Sequence, residues 1–283
     1  MTSRLFSLIA LPLSLVGHLL FWPGSAGLLR ATQRFDGGLD IGALALVVVG
    51  IAVIAAAVAT LAIGWLGVIV LGGVHIVFSL LLHLVPIDLR ADAFSPAFEL
   101  MNAARGASAE LGDGMFFYFP PGAGLIIGVV LVAAGLASDA RRTRPAGPAR
   151  GLSALAGVGG VFGLVLALAG GAITYVRLLV MLAGADALGL ALLYVGAILV
   201  GAAVYVSRWS SAGAFVLGGV TVLAGLALLA APRALVGPVP TPELRRALEL
   251  AGPSGLLLLI GVVVLVAGLA VRYRARRAIP AAV

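Results

Sequence analysis

Leu71-Gly72-Gly73-Val74 reads again as Leu217-Gly218-Gly219-Val220, displaced by 146 residues (217 − 71). The same displacement carries Gly17 onto Gly163, Asp40 onto Asp186, Gly50 onto Gly196, Pro86 onto Pro232, Ser95-Pro96 onto Thr241-Pro242 and Gly106 onto Gly252. A register held over that distance points to a duplicated unit. Further along, the displacement shortens to 133 (260 − 127): Ile127-Gly128-Val129-Val130 returns as Ile260-Gly261-Val262-Val263, and Pro120 as Pro253. The first unit therefore carries 13 extra residues (146 − 133), Ala107 to Phe119.

The unit is built for lipid. Hydrophobic residues make up 62% of the chain and charged residues 10%, where an ordinary globular domain carries roughly 25% charge. Apolar runs near 5–22, 41–63, 65–85, 119–137, 152–176, 187–206, 212–231 and 254–271 are long enough to cross a hydrocarbon core of about 30 Å as helices. The expected fold is an all-α integral membrane protein with eight transmembrane helices, two tandem parallel four-helix repeats, each with a short outer-surface helix. Residues 1–138 form the first repeat with an extra outer loop at 107–119, 139–151 an Arg/Pro linker, and 152–283 the second repeat with its basic tail. The first run, with Arg4 ahead of it and Gly24-Ser25-Ala26-Gly27 behind, has the outline of a signal peptide. Its counterpart at 152–176 argues that it is retained as a span.

Each outer-surface helix has its own signals. Ser95 caps one and Pro96 occupies its first turn, where a missing N–H is harmless. Gly106 is placed to stop that helix in the left-handed conformation. Thr241-Pro242 to Gly252 repeats the design.

Orientation follows from the arginines, which are the only basic residues besides histidine. Ten of them, at 4, 141, 142, 144, 150, 208, 272, 274, 276 and 277, fall with Asp139 on one side. The other eight mix with ten acids on the opposite side. Their crowding into short segments makes the first side cytoplasmic. Both termini are then cytoplasmic, in a multi-pass protein of the bacterial plasma (inner) membrane. The net charge of +7 is a matter of topology and does not indicate nucleic-acid binding.

Several chemistries are excluded. There is no cysteine, hence no disulfide, thiolate metal site or CxxC redox centre. No phosphate-binding loop, GxSxG or HExxH is present. The expectation is a protein that is not an enzyme and has no cofactor.

Four sets of residues stand out. His18 and His83 fall at similar depth near the outer face, whereas His75 lies about 12 Å deeper and is turned by about 80° from His83. A pair at equal depth can hold a metal or haem or relay protons; singly, each histidine needs only a backbone carbonyl or headgroup water. Asp40 and Asp186 begin the second span of each repeat, as helix caps or as an ion site. Glu110, Asp113 and the run Phe116-Phe117-Tyr118-Phe119 form the extra loop, a partner-docking element or an interfacial aromatic belt. Gly72-Gly73 and Gly218-Gly219 allow close packing between the third and seventh spans about a pseudo-two-fold axis, or a broken helix lining a path.

Two four-helix bundles in tandem resemble the plan of haem A synthase. That family places histidines in both halves, whereas all three here lie in the first. The leading expectation is a non-enzymatic membrane subunit of a cell-envelope assembly, docking membrane or envelope proteins through its outer loops and handling lipids. One alternative is a carrier of an uncharged or amphiphilic molecule between the repeats. The other is a haem- or metal-binding redox protein using His18 and His83.

Overall fold

A computed structural model describes residues 7–33, 40–84, 95–139, 149–180 and 186–277. Pro86 and most of the linker, 140–148, lie outside them. The described residues are helical and contain no strand. In chain order they form α1 (Ala10–Gln33), α2 (Ile41–Ala59), α3 (Leu66–Leu84), α4 (Pro96–Ala107), α5 (Ala109–Tyr118) and α6 (Ala123–Asp139). Then follow α7 (Ala149–Tyr175), α8 (Ala187–Tyr205), α9 (Ala212–Ala230), α10 (Pro232–Val236), α11 (Pro242–Ala251) and α12 (Leu256–Arg277). Seven helices are long and apolar enough to cross a membrane, and an eighth crossing arises if α5 and α6, bent by 66° where they join, count as one. Aliphatic residues such as Val49, Val74, Leu155, Ile198 and Leu223 are exposed on these helices, as lipid-facing side chains are. This is a helical, multi-pass membrane protein.

Close glycine contacts set the helix pairing. A Cβ on Gly17 of α1 would meet the Gly50 carbonyl of α2 at 3.0 Å, and one on Gly163 of α7 would meet that of Gly196 in α8 at 2.8 Å. Gly72 of α3 lies on the Gly128 carbonyl of α6, and Gly218 of α9 on that of Gly261 in α12, at 2.7 and 2.9 Å by the same measure. The Ser7 hydroxyl accepts from the Gly67 N–H at 3.1 Å, and Ser153 from Gly213 at 3.0 Å. Asp40 caps α2 through the Ala43 N–H at 2.9 Å, and Asp186 caps α8 through Gly189 at 3.0 Å. Each contact recurs at the displacements found in the sequence.

Gly72 of α3 therefore packs on α6 and Gly218 of α9 on α12, not on each other. Gly73 and Gly219 face open space, with nothing within 4 Å of an added Cβ. Between the halves the seam is made by α6 against α8 and α12, and by α12 against α2. Gly122 and Gly255, the glycines with positive φ (85° and 76°), turn the chain into α6 and α12. A side chain on the first would strike Leu193 of α8, and on the second Val47 of α2. Only glycine fits both the left-handed backbone and that approach.

Three boundaries differ from expectation. The first span does not end at Trp22: α1 runs through Pro23 for ten more residues to Gln33, about 36 Å in all. The helix α4 does not stop at Gly106, because Ser108 closes it and caps α5 through the Leu111 N–H at 3.3 Å. The extra residues are not a loop. They are the helix α5, wedged against α1 where Gly114 meets the Trp22 carbonyl.

A buried histidine pair as the candidate functional site

Pro23 leaves α1 unbroken, so His18 sits near the middle of that helix, facing α3. Its partner there is His75. The two Nε2 atoms stand 3.3 Å apart and the ring centroids 5.0 Å apart. His83, the partner expected from depth, lies elsewhere, with its ring 6.3 Å from that of Tyr194 on α8. The eight-residue offset turns His75 toward α1 and His83 toward the second half.

The tautomers follow from the bonds. His18 Nδ1 is 2.8 Å from the Ser14 carbonyl and His75 Nδ1 is 2.9 Å from the Leu71 carbonyl. A carbonyl oxygen only accepts, so in these bonds each Nδ1 carries its hydrogen and donates; the Ser14 hydroxyl, 3.2 Å from His18 Nδ1, then turns its own hydrogen elsewhere. Both neutral rings then present an Nε2 lone pair, and the two lone pairs face each other. Tyr118 from α5 brings its hydroxyl to 3.2 Å from His18 Nε2, and one hydroxyl hydrogen serves only one nitrogen. The pair has one acceptor more than the protein supplies donors for.

Aromatic rings seal this arrangement. Trp22, Tyr118 and Phe119 pack on the two imidazoles at centroid distances of 5.1 to 6.2 Å. His18, His75 and Tyr118 are 3%, 6% and 1% exposed, so bulk solvent does not reach the surplus acceptor. A haem iron would need the two nitrogens on opposite faces of its macrocycle. Here they face one another directly with no space between, so haem does not fit.

Further along α3, Ser79 and His83 continue the buried polar edge at four-residue steps. The hydroxyls of Ser79 and Tyr194 have no hydrogen-bond partner, and His83 lies beside the backbone of Phe119 and Pro120. The positions 146 residues later are Thr221, Gly225 and Leu229, and Leu164 stands for His18. Thr221 merely returns its hydroxyl to the Leu217 carbonyl at 2.7 Å.

The extra helix divides its side chains. Tyr118 and Phe119 are buried, and Phe119 stacks on Phe78 at 4.2 Å. Phe116 is half-buried against Phe98, and Phe117 is half-buried too. These rings do not form an exposed docking strip: helical spacing turns Met115, Tyr118 and Phe119 inward. The acids stay at the surface. Glu110 pairs with Arg30 at 3.3 Å and Asp113 with Arg105 at 3.0 Å. The Glu110 carboxyl is held below its usual pKa by its own backbone N–H, the Ser108 hydroxyl and Arg30. Asp186 pairs with Arg177 at 3.7 Å besides capping α8.

Among the described residues no three His, Asp or Glu side chains gather as a metal site. A void of about 10 Å³ lies in the seam near Ile126, Leu168 and Leu256. Toward the end bearing Arg30, a cleft of about 560 Å³ opens between Leu29, Gln33, Tyr175, Arg245 and Arg246, and another of about 360 Å³ between Pro23, Arg30, Asp40 and Glu110. Sequence reading named Tyr118 for a different role and did not name Ser14. The available signal was that the insertion and the histidines occupy the same half. No protein-family model, curated protein or solved structure matches this chain.

Proposed function

We propose that the protein is a bacterial plasma-membrane protein of two tandem parallel four-helix repeats, in which the first repeat carries a cation-binding histidine centre and the second is its scaffold. The observation that carries this reading is the pair of buried Nε2 atoms facing at 3.3 Å, each with its Nδ1 bonded to a carbonyl. Two acceptors held together repel unless a cation lies between them, and ionisable groups inside membrane helices mark working sites. The insertion supports it, since its Tyr118 completes the polar cluster only where histidines are present.

Orientation is read from the ends of the bundle. Arg272 donates to the Trp209 carbonyl at 2.9 Å and Arg274 to that of Leu61 at 3.3 Å. These gather with Arg208 at one end, which the positive-inside rule makes cytoplasmic. The Arg30–Glu110 and Arg105–Asp113 pairs lie on α1, α4 and α5 at the outer end.

A His18→Leu, His75→Leu double variant keeps the interior filled and removes both lone pairs. It is expected to insert and melt like the parent in detergent, yet to leave uncorrected the growth defect of a host lacking the gene. Full correction at equal membrane abundance overturns the reading. A second reading, a non-enzymatic subunit of a cell-envelope assembly, is favoured by the surface charges of α4 and α5. Reversing Glu110 and Asp113 to arginine is expected to release co-purifying envelope proteins if it holds.

A further inference from the structure

We infer that the cation is one divalent transition-metal ion of tetrahedral preference, held by His18 Nε2, His75 Nε2 and the Tyr118 oxygen. The inference rests on the histidine-centre reading above and adds the identity of what is bound.

The spacing is the first argument. Metal–imidazole bonds of about 2.0–2.1 Å at a tetrahedral angle place two ligand nitrogens roughly 3.3–3.4 Å apart. The two Nε2 atoms are 3.3 Å apart. A metal–oxygen bond of about 2.0–2.2 Å sets a nitrogen–oxygen edge in nearly the same range, and Tyr118 Oη lies 3.2 Å from His18 Nε2. Two edges of a coordination tetrahedron are already in place before anything occupies its centre.

The hydrogen bonds behind the ligands are the second argument. Metal-binding histidines donate their other ring N–H to a carbonyl or carboxylate, which fixes the tautomer and aims the lone pair. Ser14 and Leu71 do this for His18 and His75 at 2.8 and 2.9 Å. The bonds run within α1 and α3, from residue i to the carbonyl of i − 4, so both rings are held by rigid helices. Nitrogen and oxygen donors in a tetrahedron suit zinc or cobalt rather than the hard magnesium or calcium ions, which take six or more oxygens.

The third argument is charge. A divalent ion bound by neutral groups would leave two positive charges in an apolar interior, which is costly. Binding through the Tyr118 oxygen forms the third coordinate bond and releases the phenolic hydrogen to water as one proton. The loaded centre then carries a single positive charge. These three residues leave the fourth position to a small ligand that enters with the ion.

The test uses the full chain in mild detergent, stripped with a chelator and titrated with cobalt(II) alone in weak buffer. Expected are one ion per chain, the intense visible bands of tetrahedral cobalt and one proton released per ion. His18→Leu and His75→Leu are expected to abolish the bands. Tyr118→Phe is expected to weaken binding by at least about 10-fold and to abolish proton release, while His83→Leu leaves both unchanged. Circular-dichroism melting of each variant separates lost binding from lost folding. Absence of tetrahedral bands in the folded parent overturns the metal inference but leaves the histidine-centre reading, which complementation tests by itself. Bands that persist in both histidine variants overturn it as well.

Discussion

The two halves of this molecule share a set of close glycine contacts and differ in what lies beside them. Gly17 on Gly50 is matched by Gly163 on Gly196, and Gly72 on Gly128 by Gly218 on Gly261. Inside that shared scaffold the first half holds His18, His75, Ser79 and His83, where the second holds Leu164, Thr221, Gly225 and Leu229. The second half closes on these smaller or apolar groups, with Thr221 satisfied by its own helix. That contrast is what the proposed histidine centre rests on: the buried polar side chains and the helix α5 that covers them occur together in one half.

The severest test of this comparison is at the helix crossings. Gly50→Val and Gly196→Val each drive side-chain atoms into the opposing backbone. Each is expected to cost about 3 kcal/mol or more, seen as loss of the melting transition in detergent. Gly73→Val and Gly219→Val point into open space and are expected to stay within about 0.5 kcal/mol of the parent. A large difference between the paired positions would break the equivalence of the halves.

Transplanting the pair comes next. Leu164→His with Thr221→His rebuilds the two imidazoles in the half without α5, where no tyrosine meets them. The cost is expected to be about 2 kcal/mol, measured by chemical unfolding. A neutral result would mean that the covering helix is not needed to house the histidines.

Smaller effects are expected at the caps. Asp40→Ala and Asp186→Ala each remove one side-chain acceptor from a helix start and are expected to cost about 1 kcal/mol apiece. Salt is expected to matter more for Asp186, which also faces Arg177. Smallest is Glu110→Gln, which is expected to shift melting only slightly at neutral pH. Because the Glu110 carboxyl is held below its usual pKa, whatever stability it adds is present above that usual value. It disappears as the pH falls through the lowered one, so parent and variant are expected to melt together in acid.

Much of the scaffold could be read from the residues alone. Runs of apolar side chains located the long helices, and Asp40, Asp186 and Ser95 marked helix starts where their side chains do cap. The candidate site was less legible. Depth was counted from Trp22 and Pro23 as the end of the first span, but the helix continues to Gln33, which moves His18 inward and opposite His75. Rotation about each helix axis depends on neighbours, and nothing in the linear order says that α1 and α3 turn these two rings together. The aromatic run after Gly114 looked like an interfacial belt because its composition suits one. Which rings point inward is decided by the helical turn of α5 and by its contact with Trp22.

The crossing of α12 onto α2 has a consequence for how the protein is made. The groove beside Val47 is filled by residues near Gly255, which the ribosome delivers more than two hundred positions later. The earlier bundle must therefore wait in the bilayer with one flank uncovered until the last segment leaves the insertion machinery. A chain truncated before that segment exposes this flank to quality-control proteases, even though every histidine ligand has already been synthesised.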